Sequence, residues 1–322
     1  MLSVDPSRKQ SFPAFQRMTQ TALISIGNTA GARVARVAEF PCQVRQWELV
    51  DFAGEGSLAR VYRARPVRPE NAGPAAYAVK MLRPAWQDDS AAIGLLRREA
   101  LVGSSVSHPH LVPILAAHVI DPPRLLVMPW LEGPTLQARL AAGQLFDVPW
   151  ALWIARQTAE ALDALHAADW MHGDVTPGNI HVSPAGHVTL LDLSFARRRD
   201  ETGSAVDRPI VGTCSYIAPE CITSALRADI RSDIYSLGAV LFEMFCGRAP
   251  YEAKDLAHLA TQHRQSAPPD PSRLAPHLPR ELPQLLRRML ARDPLRRPQS
   301  PRELIDRLVA LEVATFSQRA CA

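Results

Sequence analysis

Hydrophobic and polar positions change character between the two halves of this chain. From Trp47 to Met128 the apolar residues come in short β-like runs, among them Trp47 to Ala53 and Arg60 to Arg65, interrupted by one helix-like stretch around Ser90 to Val102. Beyond that region helical spacing takes over. Between Trp150 and His166, Ile154, Thr158, Ala161, Leu162 and Leu165 recur at the period of a helix with one buried face. Ile180 to Val182 and Val188 to Leu191 read as two short strands. Ser300-Pro301-Arg302-Glu303 has the order of a capping box with Pro at the first helical position, opening a helix through Leu311. Ala267 to Pro283 is rich in Pro and reads as an extended connection. Residues 1–46 show no clear periodicity and read as a flexible or partly ordered extension. The pattern predicts an α+β chain, with a small β-rich part followed by a larger helical one.

No stretch reaches the ~20 apolar residues needed to span a bilayer. The apolar run from Ala22 to Ile26 is short and polar-flanked, unlike a signal peptide. With 322 residues and 47% hydrophobic content, there is ample material for a core. The net charge of +4 arises before Trp47, where Arg8, Lys9, Arg17, Arg33, Arg36 and Arg45 stand against Asp5 and Glu39. The remainder is neutral, which argues against nucleic-acid binding as the main activity. Five cysteines without metal or disulfide spacing fit a reducing cytoplasm.

The chemistry concentrates in His172-Gly173-Asp174-Val175-Thr176-Pro177-Gly178-Asn179, followed by Asp192. Mg²⁺ prefers oxygen ligands and takes one or two carboxylates together with substrate phosphates. Asn179 and Asp192 are suited to that role, leaving Asp174 to accept a proton from an incoming hydroxyl. Upstream, Gly54-Glu55-Gly56-Ser57-Leu58-Ala59-Arg60-Val61 lies between two β-like runs, where missing side chains let backbone N–H groups approach phosphate oxygens. Only three lysines (Lys9, Lys80, Lys254) stand against thirty-three arginines, so Lys80 inside the apolar Tyr77-Ala78-Val79-Lys80 run is unusual. A compact ammonium differs in shape and reach from a planar guanidinium.

Together these segments resemble the protein kinases, whose catalytic loop reads H-R-D-x-x-x-x-N and whose metal motif reads D-F-G. The resemblance extends to Gly212-Thr213-Cys214-Ser215-Tyr216-Ile217-Ala218-Pro219-Glu220, to Ser232-Asp233-Ile234-Tyr235-Ser236-Leu237-Gly238 and to Asp293-Pro294-Leu295-Arg296-Arg297-Pro298. It implies a two-lobed protein kinase fold over residues 47–314: a small lobe at 47–128, a hinge at 129–133, a large lobe at 134–314 and a tail at 315–322. It implies ATP and Mg²⁺ as cofactors and Ser/Thr-bearing proteins, the chain itself included, as acceptors. The catalytic set is then Asp174, Lys80, its partner Glu99, and Thr176, with Asn179 and Asp192 on the metal. The nucleotide would meet Gly54, Glu55, Gly56, Ser57, Val61, Ala78, Lys80, Met128, Pro129, Leu131 and His181. The Pro129 carbonyl and Leu131 N–H would face the adenine edge. A buried Glu220–Arg297 ion pair is implied as well.

Four positions depart from the family pattern. Gly173 replaces the Arg that pairs with a loop phosphate, and Thr176 replaces the Lys beside the transferring phosphate. Asp192-Leu193-Ser194 replaces D-F-G, with Ser194 less free than Gly to flip its backbone. His181 stands where an apolar residue underlies the adenine, and is expected to stack there. Thr176 and Ser194 motivate an alternative reading as a nucleotide-binding pseudokinase scaffold. Small-molecule phosphotransferases share the H-G-D loop but lack the G-T-x-x-Y-x-A-P-E segment. Thr213 in that segment favours Ser/Thr acceptors by resemblance, and the Arg-rich, Lys-poor composition points to a bacterial eukaryotic-like serine/threonine kinase. Thr202 and Ser204 are expected autophosphorylation sites whose removal changes turnover little; a loss of activity on their removal would point to a docking cation such as Arg197 or Arg198.

Overall fold

The structure, a computed structural model, describes residues 40–67, 73–144, 146–198, 201, 214–223 and 228–316. Six strands form the first lobe: β1 (Cys42–Val44), β2 (Trp47–Glu55), β3 (Ala59–Pro66), β4 (Tyr77–Leu82), β5 (Ala116–His118) and β6 (Leu125–Pro129). They make one antiparallel sheet in the order β1-β2-β3-β4-β6-β5. Alternation along β4 decides what faces what. Tyr77, Val79 and Met81 turn to a core containing Trp47, Leu49, Tyr62 and Val127. Lys80 and Leu82 take the other side, where Leu82 packs with Ala92 and Leu96 of helix α1 (Ser90–Ser105). Asp89 caps α1 by accepting from the Ala92 N–H. Near its other end a Cβ on Gly103 would lie 2.4 Å from Ile114 Cγ1, so the helix sits where only glycine permits.

The helical lobe contains α2 (Leu136–Ala141), α3 (Val148–Ala167), α4 (Glu220–Thr223), α5 (Ile230–Cys246), α6 (Leu256–Gln265), α7 (Pro271–Leu274), α8 (Glu281–Met289) and α9 (Pro301–Thr315). Among the described residues, no helix is long and apolar enough to cross a membrane. The main core runs between α3, α5, α8 and α9, with Ile154, Leu162, Leu165, Phe242, Leu286 and Leu308 buried. Ser300 accepts from the Glu303 N–H, as the capping box predicts, while the Glu303 carboxylate accepts from Gln299 N–H, one residue before the expected Ser300. Two two-stranded pieces complete the strands of the fold: β7 (Trp170–Met171), paired with β10 (Arg197–Arg198), and the hairpin β8 (Ile180–Val182) with β9 (Val188–Leu190).

Two expectations need correction. The extension, read as flexible or partly ordered to residue 46, ends in β1, which belongs to the sheet and moves the boundary of the small lobe ahead of Trp47. Arg45, in left-handed backbone (φ 55), folds the chain so that Cys42 pairs with Leu49, and its guanidinium donates to the Asp121 carbonyl at 2.7 Å. A three-residue strand is too short for alternation to reveal. The Pro-rich connection is not extended throughout either. Pro271 opens α7, capped by Asp270, and Pro283 lies in the first turn of α8, positions where a missing N–H leaves no bond unmade.

Candidate active site

The loop after β7 is held from behind by a buried carboxylate. Asp233, in the first turn of α5 and 1% exposed, accepts from the His172 and Gly173 N–H groups, both at 2.7 Å. The fully buried His172 ring donates from Nε2 to the Leu191 carbonyl at 2.9 Å, and its Nδ1 accepts from the Asp174 N–H. The imidazole thereby ties the loop to the strand leading into Asp192. Asn179 Nδ2 donates to both the Asp174 backbone carbonyl and Asp174 Oδ2 at 2.8 Å, fixing the direction of that carboxylate.

Across the cleft, Lys80 Nζ lies 2.7 Å from Glu99 Oε2 and 3.0 Å from Asp192 Oδ2. Burial works against the Lys80 ammonium, but the Asp192 and Glu99 carboxylates outweigh it and hold its pKa above the ordinary value. Burial pushes the Glu99 carboxyl up to about 7 despite Lys80. Asp192 goes the other way. Burial opposes its ionisation, yet Lys80 and hydrogen bonds from Ser194 bring it down to about 2. This one ammonium joins the sheet, the helix α1 and the strand end at Asp192.

These groups line a cleft of about 620 Å³ between the lobes. Every residue expected to meet the nucleotide lies on its wall: Gly54, Glu55, Gly56, Ser57, Val61, Ala78, Lys80, Met128, Pro129, Leu131 and His181. Asp174, Asn179, Asp192 and Glu99 do too. The β2–β3 turn closes with a Gly56 N–H to Ala59 carbonyl bond of 2.8 Å, and Arg60 Nε reaches Glu55 Oε2 at 2.5 Å. His181 is 5% exposed, and its Nε2–H donates to the Gly133 carbonyl at 2.9 Å. Burial lowers its pKa, so the ring is neutral at pH 7 and presents an uncharged wall. Thr135 and Phe195, which the motifs do not single out, also border the cleft.

Thr176 is the exception among the expected residues. It borders a separate small cavity with Asp174, Tyr216, Ile217 and Ala218. Among the described residues its hydroxyl has no hydrogen-bond partner within the protein, and it does not cap the turn Pro177–Asn179 that follows. The other departures also acquire local reasons. Gly173 has φ 79, a conformation in which an Arg side chain would be strained. Ser194 Oγ donates to Asp192 Oδ1 at 2.6 Å and its N–H reaches the same oxygen at 3.2 Å. Its hydroxyl therefore positions the carboxylate, a role that backbone flexibility alone did not suggest. Asp192 itself has left-handed backbone (φ 59), which Asp tolerates better than most residues.

Around the site, Arg297 and Glu220 form the implied buried pair, Nη1 to Oε1 at 2.6 Å and Nη2 to Oε2 at 2.8 Å. Arg198 lies over the Trp170 ring at 5.1 Å. Arg98 of α1 reaches the segment that follows Asp192, donating to the Ala196 carbonyl at 2.9 Å and to the Glu201 carboxylate. Thr202, Ser204 and Thr213 lie outside the described residues.

Residues 47–308 match the family described as "Protein kinase domain". Serine/threonine-protein kinase PknD of Mycobacterium tuberculosis is 32% identical over 284 residues, 88% of this chain and 42% of that protein. PknB of Mycolicibacterium smegmatis is 30% identical over 265 residues, 80% of this chain and 42% of its own length. PrkC of Bacillus subtilis is 29% identical over 259 residues, 80% of this chain and 39% of the relative. The chain therefore covers less than half the length of these relatives.

Proposed function

This chain belongs to the protein kinase family, and from that premise we propose that it transfers the γ-phosphate of Mg²⁺-ATP to Ser or Thr hydroxyls of proteins, itself included. The observation that carries the reading is the single ammonium of Lys80 bonded at once to Glu99 (2.7 Å) and Asp192 (3.0 Å), on the wall of the cleft that also holds Asp174 and Asn179. Relatives named as bacterial serine/threonine kinases add support. We assign the catalytic unit to residues 40–314, which brings β1 into the small lobe.

The donor set suits Mg²⁺. Asn179 commits its Nδ2 to Asp174, which leaves Oδ1 as the atom to meet a cation, and Asp192 remains ionised down to about pH 2. Hard cations of this size take such oxygens. When bound, the metal neutralises charge on the nucleotide phosphates. Lys80, held by Glu99, offers a point charge to the phosphates, and the side-chain-free turn at Gly54 and Gly56 offers backbone donors. Asp174, aimed by Asn179 and by a loop fixed on Asp233, accepts the hydroxyl proton as the acceptor oxygen attacks. Phosphoryl transfer depends on this positioning and charge placement more than on covalent chemistry by the protein. The test is incubation with γ-labelled ATP, with and without Mg²⁺, followed by acid hydrolysis of the product. Mg²⁺-dependent label in phosphoserine or phosphothreonine is expected. Label found only on small-molecule acceptors, or only as free phosphate, would overturn the reading.

A further inference from the structure

A second cleft has a volume of about 920 Å³. It begins at Pro219, next to the Tyr216–Ala218 segment that borders Asp174 and Thr176, and continues between α6 and α8 to residue 296. Its rim carries five exposed arginines: Arg264, Arg287, Arg288, Arg292 and Arg296. Two carboxylates lie in its wall, and both are engaged. Glu220 is chelated by Arg297, and Asp293 accepts the Leu295 N–H at 2.9 Å. Arg287 reaches Asp270 at 2.9 Å and Arg288 reaches Glu303 at 3.5 Å. Among the described residues, Arg264, Arg292 and Arg296 have no carboxylate within ion-pair distance.

This charge stands against a neutral background. Removing six cations and two anions before Trp47 from the 36 Lys and Arg and 32 Asp and Glu leaves 30 of each. Several fixed cations of one sign raise the local concentration of an oppositely charged partner and speed its arrival. The floor between them is apolar, made by Pro268, Leu290, Ala291 and Pro294. Among the described residues no Phe, Trp or Tyr lines the cleft to stack a nucleobase. An apolar trough with a rim of guanidinium forks fits an extended polypeptide bearing Asp and Glu, since each fork matches a carboxylate.

We propose that this cleft docks an acidic segment of the protein acceptor, remote from the hydroxyl that receives phosphate. The inference rests on the protein kinase reading, and it names the acceptor class: proteins carrying an acidic stretch in addition to the Ser or Thr. The continuous segment from Tyr216 to Glu220 lines both sites, so a docked peptide and the reacting hydroxyl would share one wall.

The experiment uses the full chain and the variant Arg264→Glu/Arg292→Glu/Arg296→Glu, whose three side chains are exposed and outside the nucleotide cleft. Fluorescence anisotropy compares an Asp/Glu-rich decapeptide with its Asn/Gln counterpart. Initial rates compare a Ser/Thr acceptor peptide carrying either decapeptide as a tail. The acidic decapeptide should bind at least about tenfold more tightly than the neutral one, with an affinity that falls as salt rises. The acidic tail should lower KM by a similar factor at unchanged kcat. The variant should lose both differences while keeping its melting temperature, its ATP affinity and its rate on the neutral-tailed peptide. Equal binding of the two decapeptides, unchanged binding in the variant, or equally tight binding of a DNA oligonucleotide through the same arginines overturns the proposal. The two readings fail separately. Transfer with equal KM for both tails refutes the docking site alone, whereas binding of the acidic decapeptide without transfer to any acceptor refutes the kinase reading and the acceptor role with it.

Discussion

Replacing Glu220 by Gln removes one charge from the most deeply buried ion pair described in this protein. The Arg297 side chain is fully buried and that of Glu220 is 3% exposed. Their two bonds of 2.6 and 2.8 Å are joined by a third to Glu220 from Ser232 Oγ at 2.7 Å. Taking one partner from such a pair costs about 3–5 kcal/mol, because the other charge is left buried without compensation. Arg297 would keep the carbonyls of Ala291, Arg231 and Arg292 and the face of Tyr235 at 4.9 Å. Those contacts place the loss at the lower end, about 3 kcal/mol, or a fall in Tm of roughly 6 °C at about 2 °C per kcal/mol for a domain of this size. Urea unfolding of wild type and Glu220→Gln at one pH measures it. The double variant Glu220→Leu/Arg297→Met should recover most of the loss, since an apolar replacement strands no charge. A loss below about 1 kcal/mol in Glu220→Gln would refute the view that this pair staples the start of α4 to the connection between α8 and α9.

Three further perturbations test separate parts of the site. Thr176→Lys should raise turnover about tenfold or more with little change in ATP affinity, because a donor beside Asp174 acts mainly in the transition state; steady-state kinetics showing no gain would mean that Thr176 is already compensated. Ser194→Ala removes the 2.6 Å bond to Asp192 Oδ1 and should raise the Mg²⁺ concentration needed for half-maximal binding of a fluorescent ATP analogue about fivefold, on the order of 1 kcal/mol; an unchanged titration would deny Ser194 its positioning role. His263, edge-on to Tyr235 and Tyr251, is lowered to about 4 by burial, so the folded chain takes up fewer protons there than the unfolded chain. Stability present above the ordinary histidine value is therefore lost as pH falls from about 6.5 towards 4. Between pH 7.5 and 5 wild type should lose about 2 kcal/mol more than His263→Phe in urea unfolding, and equal losses would exclude this source.

What was legible in the sequence was whatever short-range pattern or residue scarcity exposes. Lys80 stood out as one lysine among many arginines in an apolar strand, and alternation along β4 does turn it towards Glu99. Helix α3 was legible from its period, and Asp174, Asn179 and Asp192 from their spacing. Other features depend on geometry that no local pattern carries. Asp233 lies 61 residues from His172, and its clamp on the loop needs α5 to be in place; an Asp in the first turn of an apolar helix was the available signal. Ser194 was weighed by its backbone, whereas its contribution is a hydroxyl whose rotamer reaches Asp192. Arg98 and Glu99 are neighbours on α1, but consecutive residues on a helix point in different directions. Glu99 turns inward to Lys80 and Arg98 turns to Glu201.

Phosphoryl transfer by wild type and Asp174→Asn, measured side by side, tests the central claim most directly. Asn at this position retains an oxygen for the Asn179 amide but cannot take the hydroxyl proton. Nucleotide binding, followed by the Mg²⁺-dependent thermal shift with ATP, should be nearly the same in both proteins. Transfer of label from γ-labelled ATP to Ser or Thr should fall about 10²–10⁴-fold in the variant, the usual contribution of a general base. Equal labelling of the two proteins would contradict the account, because the carboxylate at Asp174 would then have no part in the chemistry.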